Sequence, residues 1–354
     1  MKVNKVFYVA ALAAATATVV AQEKSIEERV SKVEGITSKL PSISGLVNTR
    51  FQYDDVEGKD ATNSFDVRRA RLDIKGGISS KVDYRIQLEL SGTPKILDAF
   101  VTWKPSSYIN LRVGQFKYPF TLENPYSPTG LETIENSTVI SKFSGYSDES
   151  GIGGNGREIG LAFFGGFGKK TGYNLVDYYV GIVNGNGLIN QGNKDNNTHK
   201  DLTGILTINP IKPLAIAISH YNGKYGKTID DQVKDLARVR TGFGAKYDDK
   251  KLLVRGEYLF GTTGTDFKDN KEVKKEGNGY YLTAAYYVAP KWQPVLKYDY
   301  YQADDTKDAT KQTNYIVGVS YYPIKNVRLQ FNYTHRTQEK ADRDLVATQL
   351  LISF

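Results

Sequence analysis

From Ile43 to the C-terminus, apolar and polar residues alternate one by one, the period of a β-strand whose two faces meet different surroundings. Val82, Tyr84, Ile86, Leu88 and Leu90 interleave with Asp83, Arg85, Gln87 and Glu89, and Val327, Leu329, Phe331 and Tyr333 with Arg328, Gln330, Asn332 and Thr334. Sixteen such segments are predicted, near 43–54, 64–75, 82–90, 96–103, 109–116, 157–164, 173–184, 201–208, 214–221, 236–247, 252–260, 279–288, 291–301, 312–321, 327–336 and 344–354. Many reach the ~9–11 residues that a tilted membrane-crossing strand needs.

Alternation alone also fits a soluble sandwich, so the connections decide between the two. Every second one is brief, as at 76–81, 104–108, 209–213, 248–251, 289–290 and 322–326. The others include 117–156, 185–200, 222–235 and 261–278, which are long, polar and rich in Gly, Asn and Lys. A sandwich has no reason to sort its loops by parity, whereas an outer-membrane barrel has short periplasmic turns and long extracellular loops. The expected fold is therefore all-β: a transmembrane antiparallel barrel of sixteen strands in the outer membrane of a Gram-negative bacterium, with lipid against its outer face. Closure is a physical demand, because a sheet facing lipid cannot leave an edge of unpaired backbone groups.

Both ends of the chain agree with export to that membrane. Lys2 and Lys5, the apolar run Val6 to Val20 and the small-residue site ending at Ala21 read as a signal peptide over 1–21. Residues 22–42 follow as a short periplasmic segment in which Ile26, Val30 and Val33 recur at helical spacing. At the other end Val346, Thr348, Leu350, Ile352 and Phe354 alternate up to a terminal phenylalanine, a pattern resembling the signal read by the outer-membrane assembly machinery. With no cysteine in the chain, an exported protein has no disulfide framework and must hold together through its sheet. The 25 Tyr and 15 Phe against two Trp and one Met suit strands and interfacial aromatic belts.

If the apolar parity faces lipid, the other parity faces the lumen. Arg69, Arg71, Asp73 and Lys75 then point inward opposite Ala70, Leu72 and Ile74, and Arg238, Arg240 and Lys246 point inward opposite Val239, Phe243 and Tyr247. Other strands add Arg85, Arg112, Arg255, Lys297, Arg328 and Arg336, interspersed with Asp73, Asp83, Glu89, Asp98, Glu158, Asp177, Glu257 and Asp299. The formal charge of +8 becomes +6 once Lys2 and Lys5 leave with the signal, which leans weakly toward anionic partners. Charges scattered singly along alternating strands, with no basic run, argue against nucleic acid. The cluster Arg69, Arg71 and Arg85 is the expected anion path, with Arg112, Arg238, Arg240 and Arg255 along the same wall.

The connection 117–156 is too long for a hairpin and is the third outer loop, the one that in sixteen-stranded porins folds inward. It holds Lys117 and Lys142 against Glu123, Glu132, Glu135, Asp148 and Glu149, a net of −3, a sign that opposes tight selection of anions.

Two stretches, Phe65-Asp66-Val67-Arg68-Arg69-Ala70-Arg71-Leu72 and Val113-Gly114-Gln115-Phe116-Lys117-Tyr118-Pro119-Phe120, resemble motifs of the phosphate-selective porin O/P family. The continuation from Glu123 to Glu135 is similar to the start of that family's inward loop. The resemblance implies a sixteen-stranded barrel, usually a homotrimer, whose basic lumen conducts phosphate or polyphosphate, and it carries Arg69, Arg71 and Lys117 over as lumen residues. It implies passive diffusion of small anionic or neutral solutes and no cofactor.

Other classes fare worse. An enzymatic barrel needs a base beside a nucleophile, but His199 sits in a loop, and His220 and His335 fall on the outward parity. No His pair has metal-ligand spacing. The chain is too short for a plugged 22-stranded transporter. A non-conducting barrel acting as an adhesin through its long loops is the remaining alternative.

Overall fold

The computed structural model describes residues 40–188, 197–269 and 271–354, with Arg29 and Asp195. The expected signal peptide and most of the segment 22–42 lie outside the described residues.

Sixteen antiparallel strands form one closed barrel, each paired with its neighbours in sequence. They are β1 (Ser42–Val56), β2 (Thr62–Ser79), β3 (Val82–Glu89), β4 (Lys95–Trp103), β5 (Asn110–Lys117), β6 (Arg157–Lys170), β7 (Tyr173–Val183) and β8 (Asp201–Ile211) in the first half. The second half holds β9 (Leu214–Ile229), β10 (Gln232–Asp248), β11 (Leu252–Lys268), β12 (Lys271–Tyr286), β13 (Trp292–Gln302), β14 (Lys311–Tyr321), β15 (Val327–Gln338) and β16 (Arg343–Ser353). β1 closes on β16, and Gly45 and Phe354 exchange both backbone hydrogen bonds at 2.8 and 3.1 Å. The Phe354 ring lies over Gly45, where a Cβ would stand 2.3 Å from a ring carbon, so the last side chain needs a glycine beneath it.

The barrel is inverted relative to a soluble protein. Along β9 the inward Ala215, Ala217, Ser219 and Tyr221 are buried while Ile216 and Ile218 are exposed. Phe243, Tyr258, Leu282 and Leu296 continue the exposed apolar band that lipid would cover. Outside, Tyr280, Tyr298, Tyr315 and His335 form a run of ring contacts across β12 to β15, an aromatic belt at the long-loop end. Trp292 stacks on Tyr321 at the opposite end.

Two of the expected loops, 222–235 and 261–278, are instead strand. β9 and β10 run on as a ladder to a two-residue turn at Asp230 and Asp231, both with positive φ, the geometry that lets a hairpin reverse without splaying. β11 and β12 likewise meet at Asp269 (φ 50°). The lipid signal ends where Ile216 and Ile218 give way to Asn222 and Lys224, but the backbone pairing does not end there. Polar composition marks where these strands leave the membrane, not where the sheet stops.

One irregularity matters for the lumen. In the pairing of β1 with β2, Asn48 is opposite Arg69 and Thr49 is opposite Val67, leaving Arg68 as the extra residue of a β-bulge. The bulge turns Arg68 inward beside Arg69 while keeping Phe65 and Val67 exposed on the outer face.

Candidate functional site: the constriction

The connection 118–156 folds into the barrel and is fastened to the wall formed by β9 to β15. Its backbone N–H groups at Leu122 and Glu123 both donate to the Glu257 carboxylate, at 2.7 and 2.9 Å. Thr138, at the start of the short helix α1 (Thr138–Phe143), donates from N and Oγ1 to Asp299 Oδ2 at 2.8 Å each. Ile134 N donates to Asn332 Oδ1 at 2.7 Å. Phe120, Val139, Ile140 and Phe143 pack against Tyr221, Leu259, Tyr281 and Tyr301, giving the loop an apolar core inside a polar lumen. Buried backbone donors thus meet wall carboxylates rather than water, which holds the loop in one place.

The loop's own acids are matched by wall cations. Arg255 binds Glu132 through two nitrogens at 2.7 and 3.4 Å and reaches Glu123 at 3.4 Å. Arg238 and Arg240 converge on Asp148 at 3.1 and 3.5 Å, and Arg238 also holds Glu158 at 3.1 Å. Glu149 pairs with Lys142 and Lys275. Burial by itself would raise the pKa of Asp148, but Arg238 and Arg240 outweigh it and hold the carboxyl below its usual range. Glu123 is lowered in the same way, burial being outweighed by Lys297 and Arg255.

This corrects two expectations. Arg238, Arg240 and Arg255 do face inward, yet their side chains are 1%, 0% and 1% exposed, so they are anchors of the loop and no part of an ion path. The loop's net negative charge also does not oppose anions, because most of it is neutralised on the far side of the lumen.

Between the loop and the wall of β2 to β6 a space remains. A cavity of about 360 Å³ there is lined by Arg68, Arg69, Arg71, Lys95, Lys117 and Arg157, with only Glu89 and Glu135 of opposite sign. Arg71 is neutralised by Glu89 at 2.8 Å and Arg157 by Asp98 at 2.6 Å. Glu135 is shared by Arg50 and Arg68. Lys117 Nζ donates to the carbonyl of Tyr126 at 2.6 Å. Arg69 forms no ion pair among the described residues, and its Nη1 is buried with no hydrogen-bond partner.

Of the predicted residues, Arg69, Arg71 and Lys117 come together in this cavity. Arg85 does not join them: Asp73 grips it through two bonds of 2.8 Å, Asp98 lies at 3.2 Å, and it opens with Arg112 into a separate cavity. Strict alternation missed Arg68 because it assigns adjacent arginines to opposite faces. The pair Arg68-Arg69 in a strand was itself the signal, since one of two neighbours would otherwise have to sit in lipid. His220 and His335 lie on the outer surface, hydrogen-bonded to Thr241 and Asp344 at 2.9 Å each.

The model of a family described as phosphate-selective porin O and P matches residues 46–352, from β1 to β16. The chain belongs to the phosphate-selective porin O and P family. As a porin of that family it is an outer-membrane β-barrel channel for passive diffusion, and its family and fold are those of a channel rather than an enzyme. No curated protein matches the sequence. Among solved structures, this porin is similar to an anion-selective porin from Comamonas acidovorans, at 13% identity and TM-score 0.68 over 89% of this chain and 99% of that one. It is also similar to the outer membrane channel DcaP of Acinetobacter baumannii, at 14% identity and TM-score 0.65 over 89% and 97%. The trimer form of OmpT from Vibrio cholerae aligns at 13% identity and TM-score 0.59 over 88% and 99%.

Proposed function

We propose that this porin passes small anions preferentially along the Arg69, Arg71 and Lys117 side of its constriction, while remaining permeable to small neutral solutes. The observation that carries this reading is the asymmetry of charge pairing: the loop carboxylates are bound to Arg238, Arg240 and Arg255, whereas Arg69 has no counter-ion among the described residues. Arg69 is half-buried in the cavity wall and not ion-paired among those residues, so a passing anion gains a charge contact there that no protein carboxylate already takes. The preference is weak because Glu89 and Glu135 share the cavity and, with Asp98, cancel part of its positive charge through Arg71, Arg68 and Arg157. The Comamonas protein, which is described as an anion-selective porin, is in line with this reading.

The exposed apolar band takes outer-membrane lipid as its partner, and the assembly is a homotrimer, a state recorded for the OmpT structure. Semi-native gel mobility before and after heating checks the trimer. Single-channel recording under a salt gradient checks the pore: a reversal potential favouring chloride, shifted toward cations by Arg69→Gln, is expected. Absence of conductance from folded protein would overturn the reading and return attention to the loops as a binding surface.

A further inference from the structure

Five residues nearer the short-turn end than Lys117, the lumen wall changes character. Inward positions of β4 to β7 place Phe100, Phe116, Phe164 and Tyr179 together, an aromatic cluster on a face that is otherwise polar. Phe164 and Tyr179 stack at 6.1 Å with 25° between their planes, and Phe116 meets both Phe100 and Tyr179 edge-on. Arg112 lies among them, its guanidinium carbon 4.2 Å from the Phe100 ring centre and 5.0 Å from that of Phe164.

Like Arg69, and unlike Arg71, Arg85 and Arg157, Arg112 is not held by a carboxylate among the described residues. Its Nε donates to Thr102 Oγ1 at 3.3 Å. Rings of Phe100, Phe116 and Phe164 thus surround the guanidinium at 4.2 to 5.9 Å, and among the described residues its Nη atoms make no hydrogen bond. Stacked this way a guanidinium is weakly hydrated and keeps its planar fork free for a carboxylate.

Two cavities of about 390 and 400 Å³ flank the cluster and keep it reachable. Arg112 and Phe100 line the first, Phe164 and Tyr179 the second. The hydroxyl of Tyr179 is buried without a hydrogen-bond partner, a second polar group within the shelf. The first cavity also holds Lys75 and Arg85, paired with Asp73 and Asp98, and Asp83, paired with Lys104, so among the described residues Arg112 is its one cation without a carboxylate partner and offers a place for a single negative charge.

We infer that this porin carries a binding subsite for planar aromatic monocarboxylates in the first of these cavities, with the ring on Phe100 and the carboxylate on the Arg112 guanidinium. An inorganic anion gains only the charge contact there. An aromatic anion gains the charge contact and the ring contact together. The inference rests on the anion-pore reading but uses residues that the Arg69 path does not.

The test is block of chloride current through single channels by benzoate, cyclohexanecarboxylate and acetate at equal ionic strength. Benzoate is expected to halve the current at about one tenth of the acetate concentration, the scale of a ring contact added to a charge contact. Cyclohexanecarboxylate, equal in charge and similar in size but without a flat ring, is expected between the two. Phe100→Leu should bring benzoate to the cyclohexanecarboxylate value, and Arg112→Gln should weaken all three.

Equal block by benzoate and cyclohexanecarboxylate in the wild type would overturn the subsite without need of any variant. So would benzoate block that survives both substitutions in barrels that still show normal heat-modified gel mobility. The reversal potential measured without benzoate reads the Arg69 path separately: anion preference without aromatic block removes the subsite alone, and aromatic block in a cation-preferring pore removes the anion reading alone.

Discussion

Arg255 on β11 grips Glu132 of the inward loop through two nitrogens at 2.7 and 3.4 Å, joining residues 123 positions apart in sequence with both side chains almost wholly buried. Removing one partner of such a pair leaves an uncompensated charge, at about 3–5 kcal/mol. Arg255→Ala is therefore expected to loosen the loop on that side, raising single-channel noise and mean conductance. The double variant Arg255→Met with Glu132→Leu removes both charges and should restore a quiet channel. If the single variant is as quiet as wild type, the loop does not depend on this clamp.

Selectivity should separate Arg69 from Arg71. The charge of Arg71 is cancelled by Glu89, so Arg71→Gln is expected to move the reversal potential less than Arg69→Gln. Glu89→Gln frees Arg71 and should strengthen anion preference. Equal shifts from the two arginine variants would mean that ion pairing in the wall does not govern selectivity.

The bulge at Arg68 makes an unusual deletion tolerable. Without Arg68, Asn48 still faces Arg69 and Thr49 still faces Val67, so the outward parity survives. The deletion variant is expected to insert with wild-type heat-modified mobility and a wider constriction, having lost its contact with Glu135. Deleting Thr241 from the unbulged β10 should instead turn Arg238 and Arg240 toward lipid and abolish the folded band on the gel.

Acid should release the loop only late. The folded-state pKa values of Asp148 and Glu123 are depressed, so their contribution is complete above the ordinary carboxylate range and is lost as pH falls through the lower folded values. The contacts of these two carboxylates are expected to hold down to about pH 4, so the extra single-channel noise of Asp148→Asn over wild type should persist to that pH and vanish below it. Extra noise in Asp148→Asn that already vanishes between about pH 5 and 7 would show that Asp148 does not hold the loop.

Much of this porin was legible residue by residue. Lipid acts on each outward side chain separately, so the alternation in Val82 to Leu90 or Val327 to Thr334 already specifies two faces, and the need to pair every backbone group then specifies closure. Closure of β1 on β16 follows from a chain whose first and last strands both carry that alternation, whereas the register that brings Gly45 to Phe354 does not.

The hairpins and the constriction were not legible in that way. Beyond the lipid belt β9 and β10 lose the apolar parity that marked them, although their ladder continues to Asp230 and Asp231. Arg68 faces the lumen only because one backbone residue bulges there. Above all, sequence placed Arg238, Arg240, Arg255 and Arg69 on one inner face and determined no more about them. The tertiary structure decided which became anchors and which stayed without a counter-ion, because the partner of a buried charge depends on where a loop some hundred residues away comes to rest.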